Sequence, residues 1–291
     1  MPPTSSPAPT RAHPAAHHVV LTATDSPAAA AAGLSLYTPC HPTAVGAHHL
    51  VVAAARAGAT RAVTREARAD VPWLEVLSAA TTTLSGLGRP DTFALHLRRG
   101  DRAGGGGLLL AGGRPLAFVR VDADHDAAER EQRALAVLAG GDGVVHVPAP
   151  LGAGRVGPWS WTASSPLPGR PHRPEPRPDL DRVHALLQRL ARVVPRPDDT
   201  PDHWVVVHGD LAPWNLRRVL AGGTWLLDLD DVTWGPPDAD AVLWSVATAH
   251  VRRRRRRGPE TSDEARAYWR ERLGTRAAAG DGVAADMLAR L

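Results

Sequence analysis

The chain has 291 residues and a formal charge of +4, and 43% of its residues are hydrophobic, enough for a sizeable core and against full disorder. All 34 basic residues are Arg, and Ile is absent as well. One cysteine, Cys40, excludes an intrachain disulfide and a thiolate zinc cage and fits a reducing cytoplasm.

The missing Lys and Ile, and a single Asn (Asn215), point to a very GC-rich genome. Arg and Ala are therefore discounted as functional signals, and residues that resist the bias gain weight. The basicity is local. Without the run Arg252–Arg257 the balance is −2, so the run reads as a solvated helix end and nucleic acid is not an expected partner.

Residues 1–30 are rich in Pro, Ala, Ser, Thr and His, the composition of a disordered tail. The N-terminus lacks the charged start and apolar stretch of a signal peptide. Residues 26–55 carry no formal charge, but Pro and His interrupt them, so no membrane span is expected. An Ala-rich helix is predicted over 45–60. Phe93–Leu97, Leu108–Leu110 and Pro115–Val121 read as strands. Gly104–Gly107 falls between the first two, as a hairpin tip or a phosphate-capping loop. Asp126–Leu138 has helical spacing, and 144–150 and 159–162 suggest two more strands. The cluster Asp122-Ala123-Asp124-His125-Asp126 reads as a solvated loop rather than a metal cage.

A Pro-dense connector, Pro166–Pro178, separates a β-rich half from a helix-rich half. The expected organisation is a tail over 1–30, one lobe over 31–165 and a second over 166–291. Helices are predicted over 179–194, 238–257, 262–273 and 282–291. A strand is expected at 204–207, and a hairpin at 216–220 with 224–229.

The most specific segment is His208-Gly209-Asp210-Leu211-Ala212-Pro213-Trp214-Asn215, followed by Leu226-Leu227-Asp228 and by Gly235-Pro236-Pro237-Asp238-Ala239-Asp240. Asp210 and Asn215 share one tight loop. The hairpin returns Asp228 to the neighbourhood of Asn215. Two carboxylates and one amide oxygen are hard donors that suit Mg²⁺ with its waters and phosphate ligands. A carboxylate left off the metal can take a proton from a hydroxyl. Together they are the minimum set for phosphoryl transfer. Asn215 is the main argument, because the one surviving Asn stands where metal chemistry wants an amide oxygen.

These residues resemble the aminoglycoside phosphotransferase and choline kinase family, protein-kinase-like small-molecule kinases, over about residues 92–250. The resemblance implies an α+β, bilobal protein-kinase-like fold, with an N-terminal β-rich lobe and a C-terminal mainly helical lobe. It implies that Asp210 is the catalytic base and that Asn215 and Asp228 hold Mg²⁺. His208 would brace the loop and Asp240 would secure it. In the first lobe, Arg120 falls where the family has its phosphate-binding Lys, and Glu131 where that Lys has its helix partner. Ser164, Ser165 and Leu167 would form the hinge whose backbone grips adenine. The implied reaction moves the ATP γ-phosphoryl group to a hydroxyl of an aminoglycoside, sugar or amino alcohol. Arg120 departs from the family and opens an alternative, a non-catalytic kinase-fold nucleotide-binding or regulatory protein.

Overall fold

The computed structural model describes residues 10–13, 16–22, 26–36, 39–60, 65–67, 74–97, 104–167, 172–219, 223–253 and 261–291. The chain divides into two compact units. One comprises Met1–Thr38, Ala44–Ala128 and Ala149–Pro171; the other comprises Pro39–Thr43, Glu129–Pro148 and His172–Leu291.

The first unit holds an antiparallel sheet of eight strands: β1 (Thr10–His13), β2 (Ala16–Thr22), β3 (Arg65–Ala67), β4 (Thr92–Leu97), β5 (Gly104–Ala111), β6 (Arg114–Asp122), β8 (Pro150–Val156) and β9 (Trp159–Ser164). Their order is β3-β1-β2-β4-β5-β6-β9-β8. Both faces are covered, and the pleat sorts the side chains between them. Leu108 and Leu110 of β5 bury with helix α1 (Pro27–Leu34) and with Val52 and Ala55 of helix α2 (Pro42–Arg56). Leu109, between them, joins Leu95, Val119, Val121 and Trp161 under Val76, Leu77 and Ala80 of helix α3 (Leu74–Thr83). Ser26 caps α1 by accepting from the Ala29 N–H at 3.2 Å, and Pro27 opens it.

Two expectations change here. The tail expected over 1–30 contains two sheet strands and the start of a buried helix. Val19-Val20-Leu21 is the β-prone run, and its pairing with Ala94–His96, more than 70 residues away, is invisible to local composition. Gly104–Gly107 is not a hairpin tip; it is the first half of β5, with Gly105–Gly107 paired to Leu97–Leu95 on one side and Gly104–Gly107 to Asp122–Val119 on the other. The lack of side chains there has a packing cause. A Cβ on Gly106 would stand 2.8 Å from the Phe118 ring, and one on Gly107 2.9 Å from Leu77.

The second unit includes the greater part of helix α4 (His125–Leu138), whose Ala134, Leu135 and Leu138 share a core with Val183, Leu187, Leu216 and Leu226. Residues 129–148, expected in the first lobe, therefore pack with the second. The expected boundary at 165/166 is replaced by the divisions just given. Asp122, Asp124 and His125 form the entry to α4. Asp122 Oδ1 accepts from the Asp124 N–H, and Asp124 Oδ1 accepts from Asp126 and Ala127, all at 3.0 Å. This acidic cluster is a helix cap.

A four-stranded sheet in the order β10-β12-β13-β7 uses His172–Pro174, Leu216–Val219, Thr224–Leu226 and Val145–His146 respectively. The short pair β11 (Val205–Val207) and β14 (Thr233–Gly235) is antiparallel. Helix α5 (Leu180–Leu187), capped by Asp179, runs into a 3-10 turn over Gln188–Arg192. Gln188 treats β11 as a neighbouring strand would, donating to the Val206 carbonyl at 2.8 Å and accepting from the Val206 N–H at 3.3 Å. Helices α6 (Ala239–Arg252), α7 (Asp263–Ala278) and α8 (Gly282–Leu288) bury Leu243, Trp269, Leu273 and Met287 together. Among the described residues no helix is long and apolar enough to cross a membrane. Arg252 closes α6; Arg254–Arg257 lie outside the described residues.

Two glycines should respond oppositely to an added methyl. Gly106→Ala drives a Cβ into the Phe118 ring and should cost about 1–3 kcal/mol. Gly46→Ala, at an exposed position inside α2 with nothing within 4 Å, should stabilise by about 0.5–1 kcal/mol. Urea unfolding of both variants checks the pair.

Candidate active site

The candidate site lies wholly in the second unit, on three loops that follow β11, β13 and β14. His208 holds them together and is fully buried. Its backbone N–H donates to Asp240 Oδ2 at 2.8 Å. Its ring Nε2 lies 2.9 Å from the Leu227 carbonyl oxygen, which can only accept, so Nε2 carries the proton. Its Nδ1 accepts from the Asp210 N–H at 3.3 Å. One side chain thus fixes the loop that bears Asp210 against the loop that bears Asp228. Asp240 stands in the first turn of α6, where the helix dipole favours an anion, while burial pushes its carboxyl pKa upward. The backbone N–H groups of His208 and Gly209 oppose that rise by hydrogen bonding to it.

Gly209 takes φ +80°, and a Cβ there would stand 2.1 Å from the Asp231 carbonyl oxygen. Both the backbone conformation and the space demand glycine.

Asp210 and Asn215 are joined by hydrogen bonds. Asn215 Nδ2 donates to the Asp210 carbonyl oxygen at 2.9 Å and to Asp210 Oδ2 at 3.0 Å. A carbonyl oxygen only accepts, so the NH₂ end of the amide is identified and Oδ1 is its other end. The Leu227 N–H donates to the Asn215 carbonyl at 2.9 Å, and Leu216 pairs with Leu226. The hairpin therefore sets Asn215 opposite Leu227, with Asp228 next along the chain. Asp228 adopts φ +63°, a left-handed conformation that is strained for a non-glycine residue and concentrates at functional sites.

Two partners of Asp210 escaped the sequence reading. Trp214 Nε1 donates to Oδ2 at 3.1 Å. Arg276 NH1, from α7, lies 3.8 Å from Oδ1. Trp214 is four residues from Asp210 on the same loop and could have been suspected. Arg276 is 66 residues away, and no local pattern marks it. Oδ1 itself is buried and has no hydrogen-bond partner. Burial first, then the charge of Asp228, pushes the Asp210 pKa up to about 7; Trp214 and Arg276 oppose this and Asp231 adds to it.

These groups fit a hard divalent cation. The donors are an amide oxygen and carboxylates, and a buried carboxylate oxygen beside them is unsatisfied. Among the described residues no three His, Cys, Asp or Glu side chains form a cage. A cation held by Asn215 and Asp228 would complete its shell with phosphate and water, the usual habit of Mg²⁺. Asp230 is buried, and its carbonyl accepts from Arg130 Nε of α4 at 3.0 Å, which ties the helix carrying Glu131 to this loop.

The remaining predicted residues lie elsewhere. Arg120 is buried on β6 in the first unit, where its guanidinium meets Asp122 at 3.5 Å. Glu131 is buried on the part of α4 that packs in the second unit. Ser164 ends β9. Ser165 locks the following turn: its N–H donates to the Ala149 carbonyl at 2.8 Å, and its Oγ accepts from the Ala149 N–H at 2.9 Å. Leu167 is half-buried beyond it.

The raised pKa of Asp210 has a consequence for stability. Above its unfolded pKa near 4 and up to about 7, the folded protein retains a proton that the unfolded chain has lost, so this group makes stability fall as pH rises through that window. Asp210→Asn should abolish the fall. In chelator-treated protein the variant should match the wild type below pH 4 and exceed it by up to about 3–4 kcal/mol above pH 7. Denaturant unfolding across pH measures the difference.

A family model described as "Phosphotransferase enzyme family" matches residues 177–280, which contain His208, Asp210, Asn215, Asp228, Asp240 and Arg276. No curated protein matches the chain. Among solved structures, a thermostable mutant of aminoglycoside phosphotransferase APH(4)-Ia in its apo form aligns with a TM-score of 0.51 and 15% identity, over 72% of this chain and 96% of that one. The crystal structure of aminoglycoside phosphotransferase APH(4)-Ia aligns with a TM-score of 0.49 and 14% identity, over 74% and 96%. The chain thus has the α+β, protein-kinase-like fold of an aminoglycoside phosphotransferase, and its residues 177–280 match the phosphotransferase enzyme family.

Proposed function

We propose that this protein is an ATP-dependent phosphotransferase acting on a hydroxyl of a small molecule. The observation that carries the reading is the Asp210–Asn215 pair. The Asn215 amide is locked by its NH₂ end, beside the loop that bears Asp228, while Asp210 keeps one oxygen free. Fold and family match agree with it.

In this reading Asp210 Oδ1 receives the proton of the acceptor hydroxyl. The hydroxyl oxygen forms a bond to the γ-phosphorus as the bond from that phosphorus to the β-bridging oxygen breaks, giving a phosphomonoester and ADP. Asn215 and Asp228 would hold Mg²⁺, which supplies neutralisation of phosphate charge when bound. Trp214 and Asn215 fix the Asp210 carboxylate by filling Oδ2, which leaves Oδ1 aimed by default. His208 and Asp240 hold the loop still, so little reorganisation remains for the reaction itself. Arg120, Glu131 and the Ser164–Leu167 backbone are the proposed nucleotide contacts. The cytoplasm is the proposed location, consistent with a single free cysteine.

One observation favours a second reading, a nucleotide-binding protein without transfer activity. Arg120 stands where a compact ammonium is expected, and its guanidinium is engaged by Asp122.

Asp210→Ala should lower phosphoryl transfer at least a thousandfold while Mg²⁺-dependent ATP binding persists. Calorimetry with coupled ADP release measures both, and full turnover by this variant removes Asp210 from its role. Arg120→Lys separates the two readings of the first unit. If Arg120 is a working substitute imposed by the loss of Lys, the Lys variant should turn over faster than the wild type. Equal or lower turnover shows that Arg120 is not a compromise.

A further inference from the structure

Asp281 caps α8, and its Oδ1 accepts from the Val283 and Ala284 N–H groups, both at 3.0 Å. Its Oδ2 accepts from Arg276 Nε at 3.1 Å and NH2 at 2.8 Å. Two of the three guanidinium nitrogens are thereby pinned. The third, NH1, faces Asp210 Oδ1 across 3.8 Å, too far for a hydrogen bond. Asp210 Oδ2 is filled by Trp214 and Asn215, so Oδ1 is the oxygen left for an acceptor hydroxyl. A hydroxyl that reaches Oδ1 from the side of Arg276 lies beside NH1.

That gap has a chemical polarity. Oδ1 takes a proton, and NH1 gives hydrogen bonds and stays charged at any working pH. A single hydroxyl can satisfy both, donating to Oδ1 and accepting from NH1. The second N–H of NH1 then calls for another oxygen next to the reacting carbon. An ammonium there offers only donors and meets a fixed cation.

We propose that Arg276 is a specificity-determining residue and that the acceptor carries an anionic oxygen, a carboxylate or phosphate, next to the phosphorylated hydroxyl. This rests on the phosphotransferase reading above and goes beyond it in naming the acceptor's charge. The side chain of Arg276 is 30% exposed. Arg272, four residues earlier on the same face of α7, adds a second guanidinium, held over the Tyr268 ring with NH1 2.9 Å from the Tyr268 hydroxyl.

The test uses the full chain with Mg²⁺ and ATP and three acceptors on one three-carbon frame: glycerate, glycerol and 2-amino-1,3-propanediol. Glycerate should have the highest kcat/KM and the aminodiol the lowest. Arg276→Gln should raise KM for glycerate at least tenfold and erase its advantage over glycerol, and Arg276→Lys should restore part of it. Thermal unfolding of each variant separates a lost contact from a lost fold. If the Gln variant unfolds, the wild-type order and the Lys variant still decide. Equal kcat/KM for the three acceptors, a preference for the aminodiol, or an unchanged glycerate-to-glycerol ratio in Arg276→Gln overturns the proposal and leaves the phosphotransferase reading standing. No transfer to any of the three while Mg²⁺-dependent ATP binding is intact also overturns it. Loss of that ATP binding in the wild type overturns the underlying reading instead.

Discussion

Everything at the site depends on where the proton of one buried imidazole sits. With hydrogen on Nε2, His208 donates to the Leu227 carbonyl and accepts from the Asp210 N–H. With hydrogen on Nδ1, both contacts would set like against like. The tautomer is therefore a structural member, joining the two loops beside the Leu227–Asn215 backbone bond. Asp240 anchors the same residue from behind through its N–H, so the imidazole cannot shift without disturbing α6. Loss of a fully buried group of this kind would strand several polar partners at once.

The electrostatics follow from that rigidity. Asp210 is held in a buried position beside Asp228 and Asp231, and it keeps a proton at a pH where an ordinary aspartate would have lost it. Such a site is poised: a cation arriving at Asn215 and Asp228 would favour the carboxylate form of Asp210 and ready it to take a proton. Strain adds to this. Asp228 sits in the left-handed region, and the fold has to hold it there.

The centre of the site was legible because it is local. Asp210 and Asn215 are five residues apart, and a short hairpin returns Asp228, so one segment encodes most of the geometry. The composition helped, since a lone Asn in a chain that otherwise lacks it marks a position under chemical demand. Arg276 was not legible, because its approach to Asp210 exists only once α7 and α8 have packed on α6. The glycine run is not legible for a related reason: the Phe118 ring and Leu77 occupy the space of an added Cβ at Gly106 and Gly107, and both belong to other elements. The opening strands were lost beneath a Pro- and Ala-rich composition, although Val19–Leu21 pairs across a gap of more than 70 residues. Helix α4 shows the same limit at the scale of domains. Its sequence predicts a helix, but only Ala134, Leu135 and Leu138 in place reveal which core it serves.

Gly209 carries a consequence for how such a chain can drift. A GC-rich genome exchanges glycine and alanine codons by single base changes, and this chain has accepted alanine freely. At position 209 that exchange is closed, because the Asp231 carbonyl occupies the space of the first added carbon and the backbone is left-handed. Substitution can remodel the surface around the site, but it meets a steric stop at the peptide before Asp210. Any chain that retains the site should therefore keep glycine at this position.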